Sequence, residues 1–475
     1  MAAAIAIVIV SPAVTVEAML LAAIAMVLAL ALMIRLFQNR LDLFEPLTVF
    51  VLVWTVLFFA RPIAMFITGS FDTSGYQVRD GMAGMLFMAL TGCVGFLGAY
   101  ALPVGRSLGR KLDPLPEIRH LARAAAYAIA IAMIGVLMFA AFIAISGGFS
   151  TLLALMSGRQ ENAIVLSGVS TTAYLQGGLA LTLPASLILF YVASKRRSLV
   201  LGGLGLGCVL VGLVVSGPSG IRGWILPYVG APFILLYLSR NRRPGVVLVL
   251  LLLFVGFGLN GFIADARDSA TRQTTGISQL LSQNFTRLGD GWTRFVLGGD
   301  TEMPNLLALE VMKVPSIIPF MDGAATGQVL VQPIPRQFWP SKPRSGDEVL
   351  TRTLFVETNL NAASRQYTPM ANFYLDFGYI GVLFGMAFLG ILMRVFYEYF
   401  RINSASGSVQ LIYAAALPFL FALLRGSIAD VSGRLVFILP PLVLGVYLAR
   451  QQRSSHTDAH VTWVSMPAAE GQALT

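Results

Sequence analysis

Long apolar blocks recur along almost the whole chain and are separated by short polar or basic stretches. Each block has about 17–25 residues, the length at which a helix crosses a ~30 Å hydrocarbon core. Backbone N–H and C=O groups inside lipid must be paired within the chain, so every block is predicted to be helical. Eleven spans are predicted, at about residues 13–34, 46–68, 81–102, 123–146, 169–193, 199–215, 222–238, 245–263, 370–394, 409–424 and 433–449.

The pattern predicts an all-α polytopic membrane protein with about eleven transmembrane helices (10–12). Helices 1–8 would occupy residues 13–263, and one large outer loop would occupy residues 264–369. Helices 9–11 would follow at 370–450, with an inner tail at 451–475. The loop is far longer than the usual connection between helices, so a role of its own is expected.

Composition agrees with this class and excludes others. Of 475 residues, 56% are hydrophobic and 12% are charged, whereas a soluble domain is about 25% charged. An ordinary soluble enzyme and a disordered chain are therefore excluded. Cys93 and Cys208 lie inside apolar spans and indicate neither a disulfide nor a metal site. Residues 1–10 lack a basic region, so no cleavable signal peptide is predicted.

Basic residues in alternate loops set the predicted orientation. These loops and the tail hold seventeen basic and seven acidic residues, which accounts for the whole net charge of +10. The positive-inside rule places them inside and the N-terminus outside. The positive charge therefore indicates topology and not nucleic-acid binding. The basic residues are Arg35, Arg40, Arg106, Arg110, Lys111, Arg119, Arg123, Lys195, Arg196, Arg197, Arg240, Arg242, Arg243, Arg394, Arg401, Arg450 and Arg453.

The large outer loop contains its own helical pattern. Apolar residues recur every three to four positions from Ile277 to Phe295, which predicts an amphipathic helix on the membrane surface or over a cavity. Residues 303–318 predict a second, weaker helix. Gly, Pro and Thr dominate residues 323–346, which are predicted to be loop.

Two arginines lie at unusual places in the outer half. Arg61 is about seven residues inside its span, and a charge there indicates a functional site unless the side chain snorkels to the headgroups. Arg222 follows the glycine-rich turn Ser216-Gly-Pro-Ser-Gly-Ile at the outer start of a helix. Free N–H groups at a helix start favour anions, so the turn would suit a diphosphate. An interfacial anchor is the alternative for Arg222.

Three further arginines are candidates on outer loops. Arg425 and Arg434 flank a ten-residue hairpin that also holds Asp430. Substrate binding would explain them, and so would an Arg–Asp pair that holds the hairpin together. Arg159 is either a binding residue or a solvated loop charge.

The end of the large loop combines cations, aromatic residues and prolines. Prolines fix an extended chain in which Arg336 and Lys342 lie beside Phe338 and Trp339. Aromatic faces stack on sugar rings and cations hold phosphates. The segment therefore predicts a binding site for a phosphorylated glycan.

Any acid–base chemistry on the outer side must use carboxylates, because His120, His456 and His460 are all predicted inside. Asp376 and Asp430 lie nearest the membrane and the cations, and Glu161 is two residues from Arg159. Stabilisation of a leaving diphosphate by arginines such as Arg222 could also supply the rate without a base. The candidate outer carboxylates are Glu161, Asp265, Asp268, Asp290, Asp300, Glu302, Asp347, Glu348, Glu357, Asp376 and Asp430.

The chain resembles the bacterial O-antigen polymerases, the Wzy-type family of oligosaccharide repeat-unit polymerases. Four features carry the resemblance, and they cover most of residues 150–450. They are the turn before Arg222, the Ile334-Pro-Arg-Gln-Phe-Trp-Pro-Ser-Lys-Pro343 segment, the Asn372-Phe-Tyr-Leu-Asp-Phe-Gly-Tyr-Ile-Gly381 segment and the Arg425 to Arg434 hairpin.

The resemblance implies a GT-C-like glycosyltransferase of the bacterial inner membrane, with a periplasmic N-terminus and a cytoplasmic C-terminus. Such enzymes polymerise undecaprenyl-diphosphate-linked repeat units on the periplasmic face, with no cofactor and no metal. A chain-length regulator and a flippase are the implied partners. Outer arginines would bind the diphosphates, which on this chain implicates Arg159, Arg222, Arg336, Arg425 and Arg434.

Two alternatives stay open. An O-antigen ligase, or another transferase of lipid-linked sugars, has a similar build, but such ligases commonly use a histidine in the large loop, where this chain has none. A flippase or transporter would carry charges at mid-membrane on several spans and inverted halves, and only Arg61 approaches that pattern.

Overall fold

The computed structural model describes residues 15–38, 42–148, 170–216, 225–242, 244–245, 296–332, 334, 338–355, 365 and 367–450. These residues are mostly helical, as an all-α membrane protein requires. The helices are α1 (Val16–Phe37), α2 (Pro46–Thr68), α3 (Met82–Ala101), α4 (Pro103–Lys111), α5 (Leu121–Ile145), α6 (Ser170–Gly177), α7 (Thr182–Arg196), α8 (Leu199–Ser216), α9 (Ile225–Ser239), α10 (Met303–Lys313), α11 (Ala324–Val331), α12 (Gly346–Leu354), α13 (Pro369–Ile402), α14 (Gly407–Arg425), α15 (Ile428–Val436) and α16 (Leu439–Leu448). Within the described ranges the strands are β1 (Asp72–Thr73) and β2 (Tyr76–Gln77), which form an antiparallel hairpin.

Eight helical stretches in the described residues are long and apolar enough to cross a membrane. They correspond to α1, α2, α3, α5, α6–α7, α13, α14 and α15–α16, and α8 and α9 are shorter apolar helices. Ten of the eleven predicted spans therefore coincide with apolar helices. The predicted span at 245–263 lies almost wholly outside the described residues, so the total of eleven stays a prediction.

The core lies where α2, α3 and α13 pack together. Phe50 stacks on Trp54 at 4.4 Å and on Phe96 at 3.9 Å between ring centroids. The buried indole Nε1 of Trp54 donates to the carbonyl of Ala89 at 3.1 Å. Because lipid offers no such partner, the polar end of this large side chain fixes how α2 meets α3.

The helix ends gather into two faces. The loop face is the end at which residues 296–332 and 338–355 pack on the bundle. There Tyr76 of the β-hairpin donates its hydroxyl to the carbonyl of Leu354 at 2.6 Å. The basic face is the opposite end, where the N–H groups of Arg119 and His120 donate to the carbonyl of Ala449. The described helices alternate between the faces as the loop charges predict, and which face is periplasmic stays a prediction.

Helix α13 is interrupted near the loop face. Phe377 and Gly378 have non-helical dihedrals, and Gly378 has φ 62° and ψ −151°. A side chain rarely adopts this backbone conformation, so the glycine permits the break. The break separates an entry segment, residues 369–376, from the long apolar part of the helix. It also explains why position 378 in the Asn372 to Gly381 segment is a glycine.

Three loop predictions were wrong. Residues 323–346 contain α11, because Gly323 at φ 93° starts a helix that its glycine and threonine content concealed. The predicted hairpin from Arg425 to Arg434 is mostly α15, whose N-terminus is capped by the Ser427 side chain. The basic stretch after α3 forms α4, which begins at Pro103. The predicted helix at 303–318 is confirmed as α10, and the one at 277–295 lies outside the described residues.

Replacing Gly378 by alanine should destabilise the protein by about 1–3 kcal/mol, because a Cβ is strained at this φ and ψ. Thermal unfolding of the purified chain in detergent measures the effect. Gly98→Ala is the matched control, since no atom lies within 4 Å of the added Cβ and alanine favours helix. An equal loss of stability in both variants would contradict the role of the break.

Candidate functional site

Arg61 attaches the large loop to the membrane bundle. It lies directly after a π-helical turn of α2 and is 4% exposed. Its Nε donates to Asn305 Oδ1 at 2.9 Å, and its Nη1 contacts Val296 O at 3.0 Å, Gly298 O at 2.8 Å and Thr301 Oγ1 at 2.7 Å. These contacts favour neither snorkelling nor substrate binding as the role of Arg61. Arg61 holds the loop instead of reaching the headgroups.

Lys342 and Trp339 differ in their burial and in the groups that they contact. The Nζ of Lys342 donates to the carbonyls of Gln332 and Ile334 at 2.8 and 3.0 Å, so this buried cation holds the chain after α11. Trp339 is partly exposed, and its Nε1 donates to Ser341 Oγ at 3.1 Å. The tryptophan face remains open to a ligand, whereas the lysine is engaged with backbone.

Arg434 and Asp430 pair with each other across one turn of α15. Arg434 Nε lies 3.1 Å from Asp430 Oδ1, and Nη2 lies 2.6 Å from Oδ2. This two-point geometry is the strong form of an arginine–carboxylate contact. It corresponds to the Arg–Asp pair that the sequence offered as an alternative. Arg425 lies at the last turn of α14 and is half-buried.

Asp376 caps a helix of the large loop. Its Oδ1 accepts from the N–H of Ala325 at 2.9 Å, and its Oδ2 accepts from the N–H of Thr326 at 2.8 Å. Free N–H groups at a helix start favour a carboxylate. Both oxygens of Asp376 are therefore used to fasten α11 to the entry segment of α13. This geometry favours a positioning role over proton transfer.

Four predicted site residues lie outside the described residues. They are Arg159, Glu161, Arg222 and Arg336. Their predicted roles in substrate binding or catalysis stay predictions.

The structure brings together a different set of side chains at the loop face. We call Glu310, Asp347, Tyr367, Asn372 and Ser427 the acid cluster. They come from α10, α12, the approach to α13, α13 itself and the cap of α15, and all five are almost fully buried. Asp347 interacts electrostatically with Glu310 and Tyr367, and the polar side chains of Ser427 and Asn372 act to lower its pKa.

The two carboxyl groups of the acid cluster are strongly perturbed. Burial raises the pKa of Asp347 to about 7, and the charge of Asp430 adds to this, while hydrogen bonds from Ser427 and Asn372 oppose it. Burial, followed by the charge of Asp347, raises the pKa of Glu310 well above its usual range. Both shifts favour the protonated form of these carboxyl groups.

Several polar atoms of the acid cluster have no hydrogen-bond partner among the described residues. These atoms are both carboxyl oxygens of Glu310, Oδ1 of Asp347, Oδ1 of Asn372 and the hydroxyl of Tyr367. Buried polar atoms are nearly always paired, and each exception requires an explanation. A clustered set with perturbed pKa values is typical of a functional site.

Sequence reasoning identified only part of the acid cluster. Asp347 was one of eleven outer carboxylates, and Asn372 belonged to a recognised segment without an assigned role. Glu310, Tyr367 and Ser427 were missed. Glu310 occupies an apolar stretch, Leu306-Leu-Ala-Leu-Glu-Val311, and a charge on such a stretch was the available signal.

Comparison with known proteins assigns no function. Residues 245–405 match a family described as a domain of unknown function, DUF8712. The matched range contains Glu310, Asp347, Tyr367 and Asn372. No curated protein and no solved structure matches the chain significantly.

Replacing Arg61 by leucine should lower the stability of the folded protein by about 3 kcal/mol or more, because several buried acceptors of the loop lose their donor. The thermal unfolding midpoint in detergent measures this loss. Arg61→Lys keeps the charge but cannot reach acceptors on two sides, so an intermediate midpoint is expected. A leucine variant as stable as the wild type would contradict the docking role.

The raised pKa of Asp347 should make stability depend on pH. The fold favours the neutral acid, so this contribution is complete at low pH and is lost as the pH rises through about 7. Unfolding midpoints measured from about pH 5 to pH 8 should therefore fall for the wild type and fall less for Asp347→Asn.

The neighbouring acid on α12 provides the matched control. Glu348 is partly exposed and pairs with Arg344 and Arg352, so Glu348→Gln should keep the wild-type pH dependence. If Asp347→Asn and the wild type lose stability in parallel, Asp347 does not titrate in this range.

Proposed function

We propose that the protein is a glycosyltransferase that polymerises undecaprenyl-diphosphate-linked oligosaccharide repeat units at its loop face. The observation that carries the proposal is Asp347, a buried carboxylate with a pKa of about 7 at the junction between the large loop and α13. A lipid diphosphate lies at headgroup depth, so its first sugar lies just beyond the helix ends. The acid cluster occupies the corresponding position at the loop face.

Asp347 suits the role of general base. A base works best when its pKa is close to the operating pH, and burial brings Asp347 to that value. In the proposed step the acceptor hydroxyl gives its proton to Asp347 while its oxygen bonds to the anomeric carbon. The bond from that carbon to the diphosphate oxygen breaks, and the electron pair leaves with the diphosphate.

The rest of the acid cluster supports this base. Ser427 and Asn372 lie beside Asp347 and act against the rise in its pKa. Glu310 in its protonated form can donate a hydrogen bond. Its oxygens and the hydroxyl of Tyr367, which have no partner among the described residues, can bind sugar hydroxyls.

The leaving diphosphate requires cations. Arg61, Lys342 and Arg434 bind groups of the protein, which favours positioning roles for them. Arg425 lies at the loop-face end of α14, and in the proposal it binds the diphosphate together with Arg159, Arg222 and Arg336. Cations placed where negative charge develops supply a large part of the rate in such reactions.

The direct test uses the purified full-length protein and a synthetic undecaprenyl-diphosphate repeat unit, with products separated by chain length. The wild type should build a ladder. Asp347→Asn should reduce the rate by about 10²–10⁴-fold, because the base is lost while the shape of the side chain is kept. Glu348→Gln on the same helix is the control and should keep the full rate.

Other outcomes separate the alternatives. A single transfer of finished glycan to a different acceptor would indicate a ligase. Movement of the lipid-linked unit across a vesicle membrane without a new glycosidic bond would indicate a flippase. A full rate in Asp347→Asn would remove Asp347 as the base, whichever reaction occurs.

A further inference from the structure

A second concentration of charge lies at the basic face, around the far end of α13. Four arginines there share two buried carboxylates, Glu45 and Glu398. The positive charge therefore exceeds the negative charge within the network. Arg35 and Arg394 bind Glu45 at 2.7 and 3.3 Å. Arg110 and Arg401 bind Glu398 at 3.2 and 2.7 Å. Arg394 also lies 3.3 Å from Glu398 and so contacts both carboxylates.

Two of these arginines present their charge to the surroundings. Arg110 and Arg401 donate to the same oxygen of Glu398, so their guanidinium groups lie side by side. Their side chains are 62% and 53% exposed, whereas Glu398 is fully buried. Arg401 also contacts the second oxygen of Glu398, at 3.2 Å. The single negative charge of Glu398 cannot neutralise the three arginines that contact it, and the remaining donors suit a phosphate.

Helix α4 brings further cations to the same place. It packs against α13 through Gly105 and Gly109, where a Cβ would lie 2.7 Å from Arg394 Cβ and 2.8 Å from Val395 O. Only glycine permits this approach. The cations of α4 are Arg106, Arg110 and Lys111, and Arg106 and Arg110 lie one turn apart beside the glycine face.

The opposite flank of α4 is apolar and exposed. Val104 and Leu108 lie one turn apart and are each about half exposed, and the equally exposed Leu112 follows directly after the helix. The helix starts directly after the membrane helix α3. Arg106 and Arg110 lie on the other side of the glycine contact, whereas Lys111 lies on the side of Val104. A helix that presents an apolar stripe and cations to its surroundings is typical of the membrane interface.

We propose that α4 and the end of α13 form a binding site for the headgroup of an anionic phospholipid. Arg110 and Arg401 hold the phosphate, Lys111 at the last turn of α4 attracts the anionic headgroup from the flank of the stripe, and the apolar residues Val104, Leu108 and Leu112 pack against the acyl chains. The apolar stripe selects a lipid over a soluble phosphate, since only a lipid contacts both flanks of α4. The site lies at the opposite end of α13 from the acid cluster and is independent of the proposed glycosyl transfer.

The test measures lipid bound to the purified full-length protein by native mass spectrometry. The protein is first equilibrated with mixed vesicles of phosphatidylglycerol and phosphatidylethanolamine. The wild type should retain phosphatidylglycerol in preference to phosphatidylethanolamine. Lys111→Gln and Arg110→Gln should each reduce that retention about fivefold, the effect expected from one basic residue at an anionic surface.

Two controls keep the result interpretable. Arg196→Gln removes an exposed cation at the end of α7 on the same face and should leave retention unchanged. Lys111 is exposed, so Lys111→Gln tests the site without disturbing the contact of Arg110 with Glu398.

Three results would overturn the proposal. The first is equal retention of both lipids by the wild type. The second is an equal loss in Lys111→Gln and Arg196→Gln, which would indicate only a diffuse positive surface. The third is displacement of the lipid by glycerol phosphate at the same concentration, which would show that the acyl chains contribute nothing and that the site takes a soluble phosphate.

Discussion

Polar groups that enter the apolar part of a membrane must find partners inside the protein, because lipid offers none. This constraint decides how the bundle is held at both ends. At the loop face Arg61 is anchored by carbonyl and side-chain oxygens of the large loop. At the basic face Glu45 and Glu398 are surrounded by arginines. In both places a buried charge ties together segments that are remote in sequence.

The acid cluster departs from this rule. Glu310 and Asp347 are as deeply buried as Glu45 and Glu398, but no described cation pairs with them. Burial without an opposite charge raises a carboxyl pKa, which allows these acids to be buried because they become neutral. The same shift brings Asp347 into the range in which it can accept and release a proton at neutral pH. These groups, which have no partner among the described residues, therefore lower stability at the place where we propose the chemistry.

Helix α13 connects the two ends of the molecule. Asn372 and Asp376 lie before its break, and Arg394 and Glu398 lie near its other end. Beyond the break, the stretch from Tyr379 to Glu398 corresponds to about 29 Å of helix. The break at Gly378 lets the entry segment follow the large loop while the remainder packs on α3. One helix thus contributes residues to both the acid cluster and the lipid site that we propose.

The sequence by itself determined the membrane class, the positions of ten apolar helices and the alternation of their ends, because hydrophobic length and loop charge are local properties. The sequence did not predict short helices such as α4 and α11, because their glycine and proline content is typical of loops. The pairing of Arg61 with residues 296–305, and the meeting of Glu310 with Asp347, were decided only by tertiary structure. Burial and partners set whether a carboxylate caps a helix, as Asp376 does, or stays unpaired, and both depend on neighbours that are far apart in the chain.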